Sequence, residues 1–362
     1  MSNTIQKLLA GTSKGLLVFS KADSEWKVAK IHFLGFPVSI VFIAQRPNTW
    51  GACLANRPWG IKLHRSQNEG TDWEQVTTPK YPEGAMIKPG KPATLRAVWC
   101  MTDAGLDRPD ELYLGTEPGG LFHSRDGGNS FALVESLWNH PSRDKDWFGA
   151  GRDHPFIHSI VIDPRDSNHI YIAVSCAGVF ETLDAGQSWS PKNNGLIAAY
   201  LPNPDVEVGH DPHLLLACKA NPDVLWQQNH CGIFRSVDGA ANWKNVSGKD
   251  GFPDYGFALA IDHTNPERAW VAPALSDEMR IAVDNELCIC RTEDGGQSWQ
   301  ALREGLPQEN CFDIVFRHSM AIRDNILAFG TTNGNLYLSE DYGGHWQCLS
   351  NHLARVECLT FV

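Results

Sequence analysis

The chain has 362 residues, 42% of them hydrophobic, with 31 Lys and Arg against 42 Asp and Glu, a formal net charge of −11. That acidic balance argues against a nucleic-acid partner or an anionic membrane surface, and no run approaches the ~18 apolar residues of a membrane-spanning helix. Several of the ten cysteines, such as Cys100, Cys218 and Cys358, sit in apolar strand-like contexts, which reads as buried thiols of a reduced, cytoplasmic protein.

The first ten residues lack a basic start followed by a long apolar segment, so they read as a strand rather than a signal peptide. Lys7–Ala10, Gly15–Phe19 and Trp26–Ile31 then give three short strands. From there one eight-residue pattern recurs: Ser66–Trp73, Ser124–Phe131, Thr182–Trp189, Ser236–Trp243, Thr292–Trp299 and Ser339–Trp346, with a worn copy at Ser20–Trp26. Copies lie roughly 46 to 58 residues apart, a period that signals a propeller or solenoid. Each clear copy follows a Gly-led apolar run, as in Gly178-Val179-Phe180, and closes on Trp or Phe. That is a hairpin whose turn uses an Asp carboxylate to hold backbone N–H groups and Gly for positive φ.

Upstream of each hairpin lie two further strands, such as His158–Asp163 and Ile170–Val174, so each repeat supplies four strands, one propeller blade. The expected innermost strands are Val38–Ala44, Leu95–Met101, Ile157–Asp163, Leu214–Lys219, Phe257–Asp262, Asp313–Arg317 and Val356–Val362. The last of these lacks outer strands and the N-terminal three lack an inner one. Pairing them closes the ring and removes exposed edges. The expectation is an all-β, seven-bladed β-propeller occupying 1–362 as one domain.

The repeat resembles the Asp-box, or BNR, repeat of sialidase-like propellers, Ser/Thr-x-Asp-x-Gly-x-Ser/Thr-Trp. That resemblance implies that the repeated turns occupy one face of the disc and that a pocket lies at the axis on the other. The sialidase activity itself does not carry over: the Phe/Tyr-Arg-Ile-Pro tetrapeptide is absent, and Arg96, Arg152 and Arg280 do not reproduce the carboxylate-clamping triad. The chain is also similar to bacterial BNR-repeat, glycosyl-hydrolase-like proteins in its Trp226–Gly232 loop and in the long Trp-Phe-Gly-rich loop before His158. Some of these relatives occur beside small ubiquitin-like sulfur-carrier proteins, which suggests such a carrier as a partner.

The loops on the pocket side are uneven. Blade four is approached through Trp138–Ser159, blade five through Glu207–His213, and Trp226–Gly232 and Ser276–Arg280 add further polar groups. Three readings follow. His154, His158, His210, His213 and His230 are candidate ligands of a divalent transition metal such as zinc. His158, His213 and His230, oriented by Asp153 and Asp211, are candidate acid–base groups, and Cys176, in the equivalent loop of blade four, is a candidate neighbour of His230 across the blade boundary. Alternatively, the loops bind without chemistry, with Trp138, Trp147 and Trp226 lining a groove. Trp147, Arg152, Gln227, Gln228, Asn229, Asp277 and Arg280 are the expected ligand contacts, because burying so many amides requires partners. The expected function is a His-rich, ligand-binding and hydrolase-like pocket near blades four to six. The alternative is a scaffold that docks a protein.

Overall fold

In the computed structural model, which describes residues 6–56, 59–149 and 151–362, the chain forms seven four-stranded antiparallel sheets. The innermost strands are Val356–Phe361, Val38–Ile43, Ala97–Asp103, Ile157–Asp163, Pro212–Cys218, Gly256–Ile261 and Met320–Arg323, for blades one to seven in turn. Each of these strands contacts the next, and the seventh returns to the first, so the ring is closed. Blade one is the composite that the sequence implied: Val356–Phe361 pairs with Lys7–Thr12, which carries Gly15–Ala22 and Glu25–His32 outward. The protein is a seven-bladed β-propeller.

The repeated turn joins the third and fourth strands of its blade, and its hydrogen bonds explain its sequence. In Thr182–Trp189 the Thr182 hydroxyl donates to Asp184 Oδ1 (2.7 Å) and accepts from Gly186 N (2.9 Å). Asp184 in turn accepts from Ser188 N (2.9 Å) and Ser188 Oγ (2.6 Å). The fifth position has positive φ in all six copies, including Ala240 at 62°, which is why glycine prevails there. The worn copy has contracted to a two-residue hairpin at Asp23 and Ser24, both at positive φ. Two of the closing tryptophans reach the preceding blade: Trp243 Nε1 donates to Lys192 O and Trp299 Nε1 to Val246 O. In these two copies the turn ties neighbouring blades together as well as closing its hairpin.

The Ser188 hydroxyl and backbone N–H, with the Thr182 hydroxyl, hold the Asp184 carboxyl down at about 2. A carboxyl depressed in the fold contributes stability above its ordinary pKa near 3.8, and that contribution is lost as pH falls toward 2. Asp184→Ala is expected to cost about 1–2 kcal/mol at pH 7, and the deficit should shrink between pH 4 and 2. Urea unfolding at both pH values checks this; an equal deficit at the two would refute the assignment.

One expected strand is displaced. The run at 313–317 holds three consecutive apolar residues, Ile314, Val315 and Phe316, but is not the innermost strand of blade seven. Met320–Arg323 takes that place, in tight register with Ile326–Gly330. The earlier run is held as a loop by Asn335 Nδ2 donating to Asp313 Oδ2 (2.6 Å) and Thr332 N donating to Ile314 O (3.0 Å). It carries Phe316, Arg317 and His318 to the axis.

Candidate functional site at the axis

Six of the seven innermost strands share one irregularity near the start. The pairing register slips by a residue at Ser39, Trp99, His158, His213 and Glu357, and across Phe257–Ala258 in blade six. A bulge turns one side chain out of the alternation and re-aims it. Here Ser39, Trp99, His213, Phe257 and Glu357 face one central cavity of about 800 Å³, a volume suited to a small-molecule ligand. Blade seven has no bulge and supplies the Phe316–His318 loop instead.

On one wall Asp211, His213 and His230 converge, with one ligating atom of each within 4.8 Å of the others. Asp211 precedes the inner strand of blade five and is buried. Its Oδ1 accepts from the Ser175 hydroxyl (2.7 Å) and Cys176 N (3.1 Å). Its Oδ2 lies 3.6 Å from His213 Nε2 and 3.7 Å from His230 Nδ1. Burial opposes the Asp211 charge, but His213 in its protonated form, the Arg317 guanidinium and the Ser175 hydroxyl offset it and hold the carboxyl well below the usual range. The same burial lowers the His213 pKa despite Asp211. A neutral His213 then donates Nδ1–H to Gly256 O (2.6 Å), which leaves Nε2 as the basic atom facing Asp211 and the cavity. His213 stacks on Phe257. His230 is 27% exposed and stands edge-on to Tyr200 and Tyr255, so it is the accessible imidazole of the pair.

The other expected site residues divide by location. Arg152, Asp277 and Arg280 line the cavity; Arg152 pairs with buried Glu117 and Arg280 with Asp277. Asp153 is mostly exposed and lies 3.7 Å from Arg96, outside the cavity lining. His158 is fully buried, with both ring nitrogens engaged by Ser159 Oγ and Pro212 O, so it is a structural brace rather than an acid–base group. His210 is bonded to Val206 O, and burial together with Lys91 and Arg96 lowers the His154 pKa. Of the five expected metal ligands, the structure brings only His213 and His230 together, with Asp211 as the third donor.

The amide run is also structural. Gln228 Nε2 donates to Asp254 O (2.8 Å), Asn229 Nδ2 to Gln227 Oε1 (3.0 Å), and Asn229 Oδ1 accepts from Cys231 N (3.0 Å). Most of the partners that these amides needed come from the loop itself and from Asp254, while Gln227 Nε2 stays buried without one. No tryptophan groove forms: Trp147 packs on Phe180, Trp138 on Tyr81, and Trp226 is fully buried beside Trp299. All ten cysteines are free, and burial with the nearby Asp211 charge pushes the Cys176 thiol far up, away from a thiolate nucleophile.

The sequence reading missed Trp99, Phe257, Arg317 and His318, all of which line the cavity. The signal for the last two was present as an Arg-His pair directly after the apolar run 314–316.

No protein-family model matches the chain. The oligoxyloglucan-reducing end-specific xyloglucanase of Emericella nidulans is 24% identical over 227 residues, covering 53% of this chain and 26% of that protein. The chain thus spans about a quarter of that relative's length. An ancestral GH74 enzyme superposes with a TM-score of 0.59 at 16% identity, over 100% of this chain and 40% of its own. YCF48 bound to D1 peptide superposes at 0.54 with 14% identity, over 91% of this chain and 88% of its own. What this chain shares with those two structures is the propeller fold. Among the described residues no helix is long and apolar enough to cross a membrane.

Proposed function

We propose that the propeller binds a small molecule in its axial cavity and acts on it by hydrolase-like acid–base chemistry at Asp211, His213 and His230. The observation that carries this reading is the meeting of one ionised carboxylate with two imidazoles on the wall of a ligand-sized cavity. In this scheme His230, the accessible imidazole, takes a proton from water or a substrate hydroxyl and returns it to the leaving group. Asp211 stabilises the imidazolium, and the Ser175 and Cys176 donors hold Asp211 in place. The likeness to a xyloglucanase supports hydrolysis as the reaction type. Turnover of a panel of chromogenic esters, glycosides and phosphate esters by wild type and His230→Ala tests it. A loss of about 10²–10⁴-fold is expected. Unchanged turnover in the variant would remove His230 from the chemistry.

A second reading has its own observation. With its Nδ1–H committed to Gly256, His213 turns a lone pair toward the Asp211 carboxylate at 3.6 Å, and two acceptors facing each other favour a proton or a cation between them. Asp211, His213 and His230 would then hold a divalent metal such as zinc, an arrangement of two imidazoles and a carboxylate with open positions. Plasma mass spectrometry of untagged protein, wild type and His230→Ala, decides between them: stoichiometric metal lost in the variant supports the metal, and none in either supports proton chemistry alone. If neither ligand nor turnover is found, protein docking, including a sulfur-carrier partner, is the remaining reading.

A further inference from the structure

The cavity is charged against the molecule. In a chain of net charge −11, five arginines and three carboxylates line the axis. Arg152 is satisfied by Glu117, Arg280 by Asp277 and Arg355 by Glu357. Arg317 differs. Among the described residues it makes no hydrogen bond or ion pair, and its Nε is buried without a partner. Its guanidinium carbon lies 5.7, 5.2 and 5.3 Å from the ring centres of Trp99, Phe156 and Phe257. Arg152 stands over the same Trp99 (5.1 Å) and Arg280 over the same Phe257 (5.3 Å). Three cations are therefore held along two aromatic rings, and the central one has nothing to donate to.

We propose that Arg317 anchors an oxyanion, a carboxylate or a phosphate-type group carried on an apolar or aromatic body, and that this is the ligand class of the cavity. The inference rests on the small-molecule reading above and specifies what that molecule carries. A guanidinium offers a rigid fork of donors that matches such groups, and leaving buried donors unpaired is costly. Burial pushes the Arg317 pKa down only to about 10, so it stays cationic at neutral pH. Trp99 Nε1 and His318 Nε2, on two other residues that line the cavity, are also buried without partners. Asp211, the nearby anion, has its Oδ1 engaged by Ser175 and Cys176 and does not reach Arg317 to pair with it. Trp99, Phe257 and Phe316 provide the apolar surface for the rest of the ligand.

The test is calorimetric titration of the full chain with phenylphosphonate and with benzoate, neither of which carries a bond that the hydrolase reading would cleave. Wild type should bind at least one, and the preferred probe identifies the tetrahedral or the planar anion. Arg317→Met should weaken binding by about tenfold or more, whereas Arg303→Gln, an equal charge change outside the cavity lining, should not. Thermal melts establish that each variant is folded. If the Met variant is not, Arg317→Lys replaces it and should still bind several-fold more weakly, because lysine lacks the fork. No binding of either probe by wild type, or equal binding by the Arg317 variants, overturns the proposal. Its fate is separable from that of the acid–base reading. His230→Ala losing turnover while Arg317→Met leaves probe binding intact would sink only the oxyanion site. Loss of probe binding in Arg317→Met with no hydrolysis found would leave that site standing alone.

Discussion

A chain lacking residues 356–362 is expected to lose its cooperative thermal transition and to associate. Those residues are the inner strand of blade one, paired in register with Lys7–Thr12, and they bury Val356, Cys358 and Leu359. Val356 also fills the space above Gly330, where an added Cβ would lie 2.4 Å from its Cγ1, and its carbonyl accepts from the buried Ser319 hydroxyl. Without the strand, the N-terminal sheet presents an open edge and the gap exposes the cores of blades one and two, a template for pairing with another chain. Val356→Asp probes the same point in a full-length chain: a charge with no partner in the core should cost more than about 3 kcal/mol. Circular dichroism melts with light scattering read both. A monomeric, cooperatively melting truncated chain would show that six blades suffice.

Asp211→Ala is expected to destabilise the fold by about 3–5 kcal/mol, the range for leaving buried charged and polar groups without their counterpart. The loss strands the Ser175 hydroxyl and Cys176 N–H, and removes the anion that faces two imidazoles and Arg317. Asp211→Asn keeps an acceptor for Ser175 and should lose less. Because the Asp211 carboxyl is depressed in the fold, its contribution is present above about pH 4 and lost as pH falls below that. The gap between wild type and Asp211→Ala should therefore close on acidification, as urea unfolding at pH 7 and pH 3 would show. A variant as stable as wild type at pH 7 would mean that the carboxylate is placed for chemistry at no structural benefit.

How much of this was legible in the sequence depends on the range of the interaction. The hairpin turns were readable because every group in Thr182–Trp189 that fixes the turn lies within it. The composite blade was readable because an unpaired terminal strand and three outer strands have one economical solution. For the amides at 227–229, sequence shows that they need partners but not that Asp254, Cys231 and each other supply most of them, leaving Gln227 Nε2 alone without one. His158 and His213 look alike in sequence, each at the start of an inner strand. One is braced on Pro212 O and the other opens into the cavity.

The sequence by itself determined the blades and their number, since turn chemistry and alternation are local and repeat. Only the tertiary structure decided the site. A bulge is a property of how two strands register, so the residue it re-aims is not marked in the sequence of either. The unpaired state of Arg317 likewise exists only once seven strands from separate parts of the chain close around one axis and leave it among rings with no carboxylate within ion-pair distance.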